Sequence, residues 1–241
     1  MKNSIQFGNT IIPYTLKESS KRKTINVTVE NNQVFITIPK GIEKLIYENA
    51  IHKKAAWILK QLNDYKEIQV TNHKLQFRSG EKLPYLGRHY RLKVTKSKVP
   101  RATLYFSKGR FEAIIPENVL LENQREYLYP LYVNWIQAKG QHFAEKRIER
   151  FIQRLGKAPT GIAVRNMEKR WGSCTPQHKV LLNWRIFLAP VSMVDYVLAH
   201  EVAHLKEMNH TPAYWETLRM LIPDYEERKE WLRINGNQLY I

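Results

Sequence analysis

From Pro190 to His210 the chain has little freedom in what it can fold into. Val194, Val197, Leu198, Val202 and Leu205 recur at the spacing of a helix with one buried face, with Ser192 or Asp195 placed to serve its start. That stretch carries His200-Glu201-Val202-Ala203-His204. A helix advances about 100° per residue, so histidines four apart lie within roughly 40° of one another and one turn apart. Both imidazoles then reach one ion. Glu201 points partly to the same side and can hold a water as general base without binding the metal itself. Chance alone would put this five-residue pattern in roughly one such sequence in fifty.

A catalytic zinc takes three protein ligands and keeps one position open, so a third ligand must come from elsewhere. His210 is the nearest candidate. It lies far enough past His204 for the chain to leave the helix around Met208-Asn209 and turn back, and Asn209 tolerates the left-handed backbone that such a turn can need. Glu216 and the pair Glu226-Glu227 are the rival ligands. The spacing matches the metzincin pattern except that Glu207 stands where those enzymes have glycine, and no Met-turn is evident downstream.

With 241 residues, 43% hydrophobic and 25% charged, the chain can bury a sizeable core in one large or two small domains. No apolar run reaches the roughly 18 residues that span a membrane, and the start lacks the apolar core of a signal peptide. A cytoplasmic protein with no membrane contact is expected. Cys174 is the only cysteine, which excludes an internal disulfide and a cysteine-based zinc site. The net charge of +17 sits mainly in the front, where residues 1–120 carry 22 Lys/Arg against 9 Asp/Glu. Lys93, Lys96, Lys98, Arg101, Lys108 and Arg110, interleaved with Tyr90, Tyr105 and Phe106, suit a nucleic-acid surface or equally an edge protected from aggregation.

Alternation of Ile25, Val27 and Val29, then Val34, Ile36 and Ile38, around Asn31-Asn32 predicts a hairpin, and residues 42–65 a helix. Short strands are expected near 74–77, 85–95, 102–106 and 110–115. Residues 122–155 read as a long helix, with Pro130 a point of interruption and Gly156 a cap. Strands at 161–167 and 179–186 precede the histidine helix, and helices at 212–220 and 224–234 follow it. No internal repeat is visible. The expected division is a β-rich basic domain over 1–120 and a catalytic domain over 121–241.

Glu168-Lys169-Arg170-Trp171-Gly172-Ser173-Cys174 joins the two late strands. In the second, Asn183 and Arg185 alternate to the face opposite Leu182, Trp184 and Ile186. Arg170 or Asn183 could therefore stabilise a tetrahedral oxyanion, the alternative being a buried hydrogen bond that holds the loop. Trp171 is expected to pack, Cys174 to be inert, and Tyr214 and Trp215 to pin the third ligand by packing.

Taken with His200 to His210 and Pro212-Ala213-Tyr214-Trp215, these segments resemble the YgjP-like metallopeptidase family. Lys54-Ala55-Ala56-Trp57-Ile58-Leu59 and Tyr85-Leu86-Gly87-Arg88-His89-Tyr90-Arg91-Leu92 are similar to its N-terminal signatures. The resemblance implies a zincin-like region related to the SprT and WLM groups, with His200, His204 and His210 on one Zn2+ ion and Glu201 as base. The expected fold class is α+β: a β-rich front with one helix, then a minimal gluzincin- or metzincin-type region built on the active-site helix. A metal-dependent hydrolase acting on peptide or protein is expected, the alternatives being a nucleotide phosphoanhydride hydrolase or a nucleic-acid-associated protein with a structural metal. Iron, manganese or cobalt also suit three imidazoles.

Overall fold

The computed structural model describes residues 2–8, 10–20, 22–30, 33–67, 74–168 and 170–241. The chain divides into two compact units, Met1–Thr71 and Asn72–Ile241. The border expected near residue 120 is not where the packing separates. Residues 74–120 share one core with the elements after them, because Leu92, Phe111 and Ile115 bury against the same interior as Tyr132, Trp184 and Leu198.

In the first unit β1 (Lys2–Phe7), β2 (Thr10–Ser19), β3 (Asn26–Glu30) and β4 (Gln33–Pro39) form a sheet of order β1-β2-β4-β3. Helix α1 (Lys44–Glu67) buries Tyr47, Ile51, Ala55 and Ile58 with Ile12, Tyr14, Val34, Ile36 and Ile38. The hairpin read from the alternating residues 25–38 is β3 with β4, and its expected Asn31-Asn32 turn lies outside the described residues.

The second unit opens with the same design. β5 (Lys82–Tyr85), β6 (Arg88–Ser97), β7 (Thr103–Ser107) and β8 (Arg110–Pro116) take the order β5-β6-β8-β7, with β6 parallel to β8 as β2 is to β4. Registers coincide, since Ser19 faces Pro39 in one sheet and Ser97 faces Pro116 in the other. β4 and β8 even share one burial pattern, with every second residue buried. The internal repeat that the sequence does not display is therefore present. Along β2/β6 and β4/β8 only Ser19/Ser97, Ile38/Ile115 and Pro39/Pro116 are identical, and what repeats is burial.

Two local expectations change here. Residues 74–77 are not a strand: the Glu81 carboxylate accepts from the backbone N–H of Gln76 and of Arg78, both at 3.2 Å, and takes the place of a strand partner. The stretch 85–95 is instead a hairpin, turned by Leu86 (φ 49°) and Gly87 (φ 75°), and two positive φ values in succession match the twist of the flanking strands. This turn seats the later elements. Leu86 N–H donates to the Phe187 carbonyl at 2.7 Å, and a Cβ on Gly87 would come within 2.8 Å of the Pro190 backbone.

Helix α2 (Gln124–Leu155) runs unbroken through Pro130, ends at Gly156 in the left-handed conformation, and buries Leu128, Tyr132, Ile136, Gly140, Ala144 and Ile148 in a stripe four residues apart. β9 (Gly161–Arg165), β10 (Gly172–Cys174) and β11 (Lys179–Asn183) form a small sheet of order β10-β11-β9. β11 stops at Asn183, short of the expected 186, because the Asn183 side chain accepts from Arg185 N–H and caps a 3-10 turn over Trp184–Leu188. Helices α3 (Val191–Ala203), α4 (Pro212–Leu221) and α5 (Tyr225–Asn235) complete the unit. No helix of the described residues is long and apolar enough to cross a membrane.

Pro190 precedes α3 and no side chain caps its start. Asp195, expected near that role, is only 4% exposed and binds two arginines of α2, Arg147 at 2.7 Å and Arg150 at 2.8 Å. This pair locks α2 to the histidine helix. Replacing Asp195 by alanine strands two cations that keep partial access to water, so the loss is about 2 kcal/mol. The expected result is a thermal midpoint lower by about 4–8 °C, read by calorimetry; an unchanged midpoint would show that the pair contributes nothing.

Candidate metal centre

Helix α3 ends at Ala203 with His204 as its C-cap, still at helical φ and ψ, so His200 and His204 keep the one-turn relation their spacing requires. The next residues bend back without any left-handed residue between 204 and 211, and the conformational tolerance of Asn209 is not used. Thr211 then caps α4 by accepting from Tyr214 N–H, with Pro212 in its first turn. Starting α4 there places His210 beside the other two histidines. One ligand nitrogen from each of His200, His204 and His210 lies within 4.8 Å of the others.

The His200–His210 pair fits a tetrahedral ion. Two nitrogens each about 2.05 Å from one zinc at the tetrahedral angle stand about 3.3 Å apart, and His200 Nε2 and His210 Nε2 are 3.3 Å apart. His204 Nδ1 lies 3.0 Å from the Glu207 carbonyl, the contact that fixes the tautomer and leaves Nε2 free to coordinate. Glu207 thus serves through its backbone, at a φ that any side chain tolerates. Burial, then the charges of His204, His210 and Lys229, holds His200 down to about 3. Burial and the charge of His204 likewise lower His210. Near neutral pH both imidazoles carry the lone pairs that a cation needs.

Tyr214 is the hub of this cluster. Wholly buried, its ring stacks on His204 at 4.6 Å, meets His210 edge-on at 4.6 Å, and its hydroxyl donates to the His200 carbonyl at 3.2 Å. The expectation of packing alone omits that hydrogen bond. Trp215 stacks on His210 at 5.4 Å. Tyr196, one turn before His200, is a neighbour that the sequence reading missed, with its ring 6.0 Å from that of His200. The rival ligands Glu216 and Glu226-Glu227 are not in the cluster.

On the other flank, Glu201 lies under β10 and is only 4% exposed. Burial raises its carboxyl to about 8, against the opposing pull of a hydrogen bond from the Cys174 backbone and the charge of Arg170. The approach is close: a Cβ on Gly172 would stand 2.5 Å from Glu201 Oε1 and 2.9 Å from Val197 Cγ1.

Arg170 and Asn183 separate into different parts. Arg170 is exposed and its charge reaches Glu201. Asn183 is wholly buried, and its amide donates to the carbonyls of Met167 (2.7 Å) and Arg170 (2.9 Å). Both hydrogens are spent on the loop, the second of its two expected roles, and none is left for an oxyanion. Trp171 packs on Gly236 and Tyr240, as expected. Burial raises the Cys174 thiol, which keeps it protonated and unreactive. Of the basic cluster on the second sheet, Lys96 donates to the Val119 carbonyl and Arg110 pairs with Glu112 at 2.8 Å, so part of that charge is used locally.

No curated protein and no solved structure in the comparisons matches the chain. A family model does, over residues 23–235, a span that includes all three histidines, Glu201 and β10. The chain belongs to the YgjP-like family, defined by its metallopeptidase domain.

Proposed function

We propose that the protein is a zinc peptidase of zincin type, with His200, His204 and His210 as ligands and Glu201 as general base. The observation that carries this is the set of three converging imidazoles, one pair of them at the spacing of two ligands on a tetrahedral ion, next to a buried carboxyl. A divalent ion held there supplies Lewis acidity, acidifying water and polarising a carbonyl. Glu201 takes the proton of the attacking water and delivers it to the leaving amine nitrogen. Arg170, exposed and with its charge reaching Glu201, is the group available to stabilise the developing oxyanion.

A place for extended substrate follows from the small sheet. β11 is the middle strand and has both edges paired. On β9 the Gln141 side chain bonds Ile162 O and Val164 N–H and closes that edge. β10 remains. Asn183 N–H bonds Trp171 O and Thr175 N–H bonds Lys179 O, so residues 171 and 175 face β11 and the alternate residues 172 and 174 face outward. The Cys174 N–H of that edge already donates to Glu201, so a peptide pairing there through the remaining groups would lie beside the base.

The test is a pair of assays on metal-analysed protein: cleavage of casein and quenched peptides, and phosphate release from nucleoside triphosphates. Peptide cleavage is expected with zinc, lost on chelation and restored by about one equivalent of metal. Phosphate release without peptide cleavage would overturn the reading.

A further inference from the structure

Trp215 carries more than the third ligand. One face of the stack continues from His210 through Trp215 to Tyr225, whose ring lies 5.6 Å from that of Trp215 and 22° from parallel. Beside it Trp215, Tyr225, Glu226, Lys229, Glu230 and Arg233 line a groove of about 480 Å³. The charges in this groove are not equivalent. Glu226 accepts from the Tyr225 hydroxyl at 2.9 Å and lies 3.7 Å from Arg219, while Glu230 and Arg233 pair at 2.6 Å. Lys229 instead sits with its ammonium 5.0 Å from the Trp215 ring centre, and no carboxylate of the described residues is within ion-pair distance of it. An indole face steers a cation without neutralising it.

The same indole ring therefore carries an ammonium without a carboxylate partner among the described residues and stacks on a histidine of the cluster. By itself such a charge repels a divalent ion, and the arrangement becomes favourable when an anion lies along the groove. A flat aromatic wall with one fixed cation is a receptor for a short aliphatic stem that ends in a carboxylate.

We propose that this groove is a specificity subsite of the peptidase, in which Lys229 binds a peptide carboxylate, from an acidic side chain or a free C-terminus, close to the scissile bond. The assignment rests on the peptidase reading above. Lys229 is a specificity-determining residue here and takes no part in the proton transfers of Glu201.

The experiment uses an internally quenched peptide in which Glu, Gln or Lys is placed at each position in turn, with acid and amide termini as separate arms. Wild type is expected to prefer Glu to Gln at one position, or the acid to the amide terminus, by about tenfold in kcat/KM, mainly through KM and less so at high salt. Lys229→Met brings that ratio to about one, Lys229→Arg keeps it, and Lys229→Glu turns the preference toward the Lys peptide. The position arms and the terminus arms tell side-chain from terminal carboxylate. Cleavage without charge preference, or a preference that persists in Lys229→Met, overturns the subsite while the peptidase stands. Absence of cleavage of every peptide overturns both.

Discussion

Exchanging Glu201 for glutamine lowers peptide turnover by about three orders of magnitude and leaves metal binding at one ion per chain. Both halves of this result come from one environment. Burial pushes the Glu201 carboxyl up to about 8, so without metal the side chain is mostly the neutral acid at pH 7. Glutamine has the shape and hydrogen-bonding capacity of that neutral acid and fits the same space under β10. The fold and the three imidazoles are therefore undisturbed, while the proton acceptor is gone. Single-turnover cleavage beside elemental analysis of the same preparation reads both quantities. Turnover within threefold of wild type would remove Glu201 from the mechanism.

Replacing Gly172 by alanine lowers turnover by about two orders of magnitude without replacing a metal ligand or a reacting group. The added carbon would stand 2.5 Å from Glu201 Oε1, 2.8 Å from its Cγ and 2.9 Å from Val197 Cγ1, so either the carboxylate swings away or β10 lifts from α3. Either movement breaks the hydrogen bond from the Cys174 backbone and displaces the strand edge meant for substrate. Overpacking of this kind costs about 1–3 kcal/mol of stability as well. The measurements are kcat, metal stoichiometry and the denaturation midpoint. Normal activity at normal stability would mean that β10 adjusts freely, and Gly172 would lose its role in positioning the base.

The metal cluster was legible in the sequence because it is local. Two ligands follow from helical period alone, and Thr211-Pro212 is a helix-start signal that reverses the chain after His210. What stayed hidden depends on partners distant in sequence. β10 is three residues long, too short to show any period, and nothing in Trp171-Gly172-Ser173 announces that the glycine lies against Glu201. Arg185 read as sharing a strand face with Asn183 because alternation extends to 186 in the sequence, whereas the Asn183 side chain caps a turn and ends the strand. The repeated sheet escaped notice for a related reason: Val34/Phe111 and Ile36/Ala113 preserve burial without preserving identity or size.

The Leu86-Gly87 turn bears on how the site comes into being. It meets Phe187 and Pro190 from about a hundred residues earlier in the chain. A hairpin of this type closes locally within microseconds, whereas the contact with Phe187 must first close a long loop and is correspondingly slow. The seat of the histidine helix is thus expected to set late in this unit. Metal capture during refolding would then serve as a clock, marking the moment at which the long-range contacts, and not merely the helix, have formed.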